Sequence, residues 1–184
     1  MADEPTANAD SRVIHPGEEP YLALEIRSGR LGFAVFRGLD LIDSGVCVFR
    51  LGKTGTKAAI KKLAFLLDLY APSMVLARQV RRVRDSSSKR TVHVLRGMRA
   101  DLERRSLRLA MLDRRDVARY FGADERSTKH EIARLIAARF EELKWKLPPP
   151  RKPWNHEAHF VAMFDAVATA VAWSGGVLPP PEET

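Results

Sequence analysis

Two acids stand in apolar company. Glu25 lies between Leu24 and Ile26 in YLALEIR, and Asp165 lies inside FVAMFDAVATAVAW. The neighbours of Asp165 one helical turn away are Val161, Ala162, Ala168 and Thr169, which offer almost no polar contact. An ionised carboxylate in such surroundings is costly unless a cation or hydrogen-bond donors compensate it. Two such acids suggest one shared charged site between a sheet and the last helix. The competing reading is local: Glu25 pairs with Arg27 or another arginine, and Asp165 caps its helix or faces water.

The second chemical feature is basic. From Arg78 to Arg108 the chain carries eleven cations, namely Arg78, Arg81, Arg82, Arg84, Lys89, Arg90, Arg96, Arg99, Arg104, Arg105 and Arg108. Against them stand Asp85, Asp101 and Glu103, so the stretch holds an excess of +8, equal to the formal charge of the whole chain. Such concentration suits phosphate contacts and counterion release. Ser86, Ser87 and Ser88 add small hydroxyls beside it. No aromatic residue lies in the stretch, which favours duplex or junction backbone, read by shape, over stacked single strands. The plainer alternative is a solvated helix face whose acidic partners lie elsewhere.

Other signals are weaker. LGKTGT resembles a phosphate loop, but Cys47 stands where that motif requires its first glycine. A loop and helix start fits better, with Lys53 and Lys57 placed to touch phosphate at the helix N-terminus. HEAH at 156–159 is not the zinc motif HExxH, because Phe160 fills the last position.

The elements that position these residues follow from periodicity. Tyr21 to Arg27 alternates as a strand, with Leu22, Leu24 and Ile26 on one face and Ala23, Glu25 and Arg27 on the other. Ser28-Gly29 turns it into a second strand, Leu31 to Arg37, and Gly38 turns that into a third, Leu39 to Phe49. A helix runs from about Thr56 to Pro72, with Ile60, Leu63, Leu67 and Tyr70 on one face. Ser73 to Ala77 reads as a buried strand, and Leu107 to Leu112 as another. Between them a basic helix, Ser88 to Arg105, turns Val92, Leu95, Met98 and Leu102 inward. Arg114 to Tyr120 is a short helix. Thr128 and Glu131 have capping-box spacing and start a helix with Ile132, Leu135, Ile136, Phe140 and Leu143 on one face. Pro148 to Pro153 forms a stiff connector, and the last helix spans His156 to Trp173. Strands followed by strand–helix units imply an α/β fold: a five-stranded mixed sheet, its first three strands antiparallel, flanked by helices.

The chain has 184 residues, 45% of them hydrophobic, enough for one domain with a real core. Residues 1–19 and 175–184 lack periodicity and read as flexible arms around a domain at 20–174. The single Cys47 excludes an internal disulfide and points to a reducing, cytoplasmic setting. The run from Phe160 to Trp173 is too short and too interrupted to span a bilayer.

Glu25 on the first strand, the hairpin SGRLGFAVF, the order of elements and FDAVATAVAW on the last helix resemble the RNase H-like fold, and within it RuvC-type Holliday junction resolvases. ARQVRRVRDSSSK resembles that family's fourth strand and following loop, and STKHEIARLIAARF its penultimate helix. The resemblance covers roughly residues 21–174. It implies binding of branched DNA by a homodimer and phosphodiester cleavage by two divalent ions, Mg²⁺ or Mn²⁺, about 3.5–4 Å apart and held by four carboxylates.

Carried over by position, the first acid matches Glu25, where the family usually has Asp, and the fourth matches Asp165. The second falls on Arg78 and the third on Ala162. Half of the acidic cluster is therefore missing, and one lost position carries the opposite charge. Arg78 repels a metal ion and is placed to sit between Glu25 and Asp165 as a fixed cation. The expectation is a protein that binds DNA through Arg78, Arg81, Arg82, Arg84, Lys89, Arg90, Arg96, Lys53 and Lys57, with its nuclease chemistry degraded. Any metal would rest on Glu25 and Asp165. A shift in the alignment would let Asp85 or Glu157 supply a ligand to an active endonuclease. A third class is a non-catalytic scaffold whose basic face meets an acidic protein.

Overall fold

The computed structural model describes residues 19–27, 29–50, 54–79, 86–122, 128–150 and 158–175, and only the backbone at 86–88 and 90. The two terminal arms expected at 1–19 and 175–184 fall almost wholly outside those residues.

Three strands open the fold: β1 (Pro20–Arg27), β2 (Arg30–Arg37) and β3 (Asp40–Val48). They form an antiparallel meander. The β1–β2 turn uses Gly29 at φ +76°, a conformation that costs a side-chain-bearing residue energy. Helix α1 (Gly55–Tyr70) leads to β4 (Met74–Arg78), and α2 (Ser86–Arg104) leads to β5 (Arg108–Leu112). Both later strands run parallel to β1, in the sheet order β3-β2-β1-β4-β5. Helices α3 (Arg114–Tyr120) and α4 (Lys129–Arg139), a 3-10 helix (Glu141–Lys146) and α5 (Val161–Ser174) complete the described chain.

Alternation along β1 divides the core in two. Leu22, Leu24 and Ile26 bury against α1 and α2, with Leu63, Leu67, Val94, Met98 and Leu102. That face is an ordinary apolar layer, each fully buried Leu contributing roughly 2 kcal/mol. Tyr21 and Ala23 face the other way, toward α3, α4 and α5. Glu25 and Arg27 have the same parity as Tyr21 and Ala23 and so belong to that second face. Parallel pairing gives β4 the same sorting, with Met74 and Leu76 in the α5-side core and Val75 in the other.

Helix α5 is buried almost all round, from Ala162 to Ala172. Its alanines allow close approach, and Gly32 on β2 completes the fit. A Cβ at Gly32 would lie 2.1 Å from the carbonyl oxygen of Ala162, so only glycine lets the helix backbone settle there. Gly32 is the register partner of Glu25.

Several boundaries differ from the periodic reading. The helix begun by Thr128 stops at Arg139: Phe140 is extended, and Leu143 belongs to the 3-10 helix. Leu135 is exposed instead of inward, because Ala133, Ile136 and Ala137 form the packed stripe and small residues bring α4 close. On α2 the inward residues are Val94, Met98 and Leu102, with Val92 and Leu95 only half-buried. The last helix starts at Val161, after a turn at His159 and Phe160; His156, its expected start, lies outside the described residues.

Candidate functional site

The last register pair of β1 with β4 is Leu24 with Ala77. One residue further along each strand come Glu25 and Arg78, side by side on the α5 face at the carboxyl ends of two central parallel strands. The close approach at Gly32 brings α5 over that point, and Asp165, one turn beyond Ala162, completes the juxtaposition. The capping box at the start of α4 is formed in both directions, with the Glu131 amide donating to Thr128 Oγ1 at 3.3 Å and the Thr128 amide to Glu131 Oε2 at 2.5 Å. It anchors the first residue of the helix, Lys129, beside the same carboxylates.

Five charged side chains meet there. Arg78 Nη2 donates to Glu25 Oε1, and Arg27 Nη2 donates to Asp165 Oδ2. Arg27 Nε lies 3.3 Å from Glu25 Oε1, Arg78 Nη1 lies 3.7 Å from Asp165 Oδ2, and Lys129 Nζ lies 3.8 Å from the same oxygen. The acids are the deeper members: the Glu25 side chain is 3% exposed and that of Asp165 15%, against 29% for Lys129. Each arginine bridges both acids, so the five groups act as one network carrying a formal excess of one positive charge.

The two carboxyls respond differently. Burial pushes Glu25 above the usual carboxylate range, with Arg78 opposing it and the neighbouring Asp165 charge adding to it. Burial also acts to raise Asp165, but Arg27, Arg78 and Lys129, with the Arg27 hydrogen bond, outweigh it and hold this carboxyl below its ordinary value. The partly open acid is thus the better ionised of the two.

This donor set does not fit a divalent ion. Both carboxylates already accept from guanidinium groups, and an incoming dication would meet three fixed cations within contact distance of its ligands. Ala162, at the third acid position implied by the resemblance, is buried and offers no oxygen beyond its backbone carbonyl. Among the described residues no group of three or more His, Cys, Asp or Glu side chains gathers to hold a metal.

Other candidates lie apart. Lys57 is exposed in the first turn of α1, and Lys89 and Arg96 are exposed on α2. These helices pack on the sheet face opposite the ion network. Arg90 lies on α2. Lys53, Arg81, Arg82, Arg84, Asp85 and Glu157 lie outside the described residues. Toward the end of α2 the basic stretch has internal partners: Arg99 pairs with Glu103 at 3.2 Å, Arg104 with Asp101 at 2.6 Å, and Arg105 with Asp68 at 2.8 Å. Lys129 escaped the sequence reading. Its one signal was position, at the first turn of a well-capped helix. Arg27, in the sequence only a local partner for Glu25, also reaches Asp165.

Three solved resolvase structures share this architecture. Over 88% of this chain and 99% of the other, the fold matches Thermus thermophilus RuvC in complex with a Holliday junction substrate, at TM-score 0.63 and 14% identity. The chain has the RuvC-type RNase H-like fold. It also matches the yeast mitochondrial Holliday junction resolvase Ydc2, at TM-score 0.59 and 13% identity over 89% of this chain and 82% of that one. Fowlpox virus resolvase, in complex with Holliday junction DNA, matches at TM-score 0.52 and 10% identity over 86% and 99%. The sequence matches no family model and no curated protein. Among the described residues, no helix is long and apolar enough to cross a membrane.

Proposed function

We propose that this chain binds branched or duplex DNA and does not cut it by the two-metal route. The observation that carries the reading is the network of Arg27, Arg78 and Lys129 around Glu25 and Asp165. Cations stand where a RuvC-type nuclease of this fold would be expected to gather acids around metal. DNA as the ligand is supported by the fold, by the net charge of +8, and by the basic stretch that follows β4 in the sequence. In this reading Arg81, Arg82, Arg84, Lys89, Arg90 and Arg96 contact phosphates, with Lys53 and Lys57 assisting, and two copies of the chain engage the two-fold junction.

The test is a labelled four-way junction incubated with the protein and Mn²⁺. Tight, shape-selective binding with intact strands is the expected result. Cleavage lost in Glu25→Ala and Asp165→Ala would replace the proposal with an active endonuclease. Binding no stronger than to heparin, with no preference among DNA shapes, would favour a scaffold for an acidic protein. Light scattering of the protein–junction complex reads the two-copy stoichiometry.

A further inference from the structure

Trp145 is 75% exposed, more than any other large hydrophobic side chain among the described residues. It stands on the 3-10 helix between α4 and α5. Its indole meets the Phe160 ring edge-on at 5.9 Å between centroids, and His159 meets the same ring at 5.0 Å. Lys146 Nζ lies 5.2 Å from the indole centroid and 5.9 Å from that of Phe160, and donates to the Ser44 carbonyl at 3.3 Å. That hydrogen bond ties the aromatic pair to β3. Arg30 Nη1 donates to the Ala158 carbonyl at 3.3 Å, which holds the approach to α5 against β2. Lys144 is engaged with Glu141 at 2.8 Å.

Core packing accounts for Phe160, which is half-buried against the α5-side core, and not for Trp145. A large indole kept in water forfeits much of its hydrophobic gain. The cation at the indole, Lys146, suits an anionic ligand better than an apolar protein surface. An aromatic face beside a lysine instead matches a nucleotide, whose base stacks and whose phosphate takes the cation. Position agrees. Phe160 immediately precedes α5, and Asp165 follows five residues on, about 7.5 Å along the helix. The aromatic pair and the ion network therefore share one face of the sheet and one end of α5.

We propose that Trp145 and Phe160, with Lys146, form a stacking site for an unpaired nucleobase of branched DNA. This rests on the DNA-binding reading above and adds what that reading lacks, a place for a base instead of a phosphate.

The experiment uses the full chain and three probes: a four-way junction with one unpaired 2-aminopurine at its branch point, the same junction fully paired, and a linear duplex. The unaltered protein should quench the 2-aminopurine and bind that junction more tightly than the paired one. Trp145→Ala, a change at an exposed position, should abolish the quench. It should weaken binding of the unpaired junction by roughly ten-fold, the order expected for one stacked base, and leave duplex binding unchanged. Trp145→Phe should retain most of both signals. Equal losses on all three probes, or no loss on any, overturns the stacking site while the DNA-binding reading stands. Absence of DNA binding by the unaltered protein overturns both.

Discussion

Asp101 and Glu25 are both buried beside arginines, and they are built in opposite ways. Asp101, 7% exposed near the end of α2, takes Arg104 of its own helix at 2.6 Å and Arg105 of the turn just after it at 3.3 Å, three and four residues on. Its cations reach well into water, with the Arg104 side chain 73% exposed. Glu25 takes its cations from β1 and β4 and shares them with Asp165 on α5, which Lys129 on α4 also approaches. Four elements far apart in the chain converge on that one charge. Losing the exposed Arg104 costs little, since its own charge lies in water and Arg105 stays beside Asp101. A charge sealed under a sheet and a helix has no such substitute.

The largest expected effect follows from that contrast. Arg78→Ala should destabilise the protein by on the order of 3 kcal/mol in chemical denaturation, because Glu25 loses its main counter-charge in a site water scarcely reaches. A change within experimental error would sink the idea of a coupled network. Replacing both partners, Glu25→Leu with Arg78→Met, should recover about 2 kcal/mol of that loss, since an apolar pair leaves no uncompensated charge between β1 and β4. No recovery would mean that Arg78 acts chiefly through Asp165.

Acid titration sharpens the comparison further. Asp165 has a depressed pKa, so its contribution is present above the unfolded value near 3.9 and is lost as pH falls below about 4. Glu25 has a raised pKa, so its contribution has the opposite sign: it is complete below about pH 4.3 and is lost as pH rises through the folded value. Melting temperatures measured across the acid range should therefore fall less steeply for Asp165→Asn than for the unaltered protein, and more steeply for Glu25→Gln. Parallel curves for all three proteins would contradict these opposed shifts. The smallest effect belongs to the helix pair. Arg104→Ala should cost under about 1 kcal/mol, and added salt should erase most of it. A cost equal to that of Arg78→Ala would erase the distinction between the two sites.

Much of this architecture was legible beforehand. The meander, the two short parallel strands and the capping box follow from alternation, turn residues and side-chain spacing, which act over a few residues. The mismatch of Glu25 and Asp165 with their surroundings was visible as well, because a single charge in an apolar element is a local property. The end of α4 was not legible. Leu135 and Leu143 fit a helical stripe, and only the packing of Ala133 and Ala137 and the extended Phe140 show that the stripe is broken.

From the chain alone come the α/β class, the parity that puts Glu25 with Tyr21 and Ala23, and the surplus of cations after β4. Only the three-dimensional arrangement decided which cations meet the acids. Residues 25, 27, 78, 129 and 165 become neighbours because a glycine at 32 admits α5 to the sheet and a cap holds α4 beside it. Electrostatic partnership depends on distances of a few ångströms, and no periodicity in a sequence encodes distances between segments a hundred residues apart.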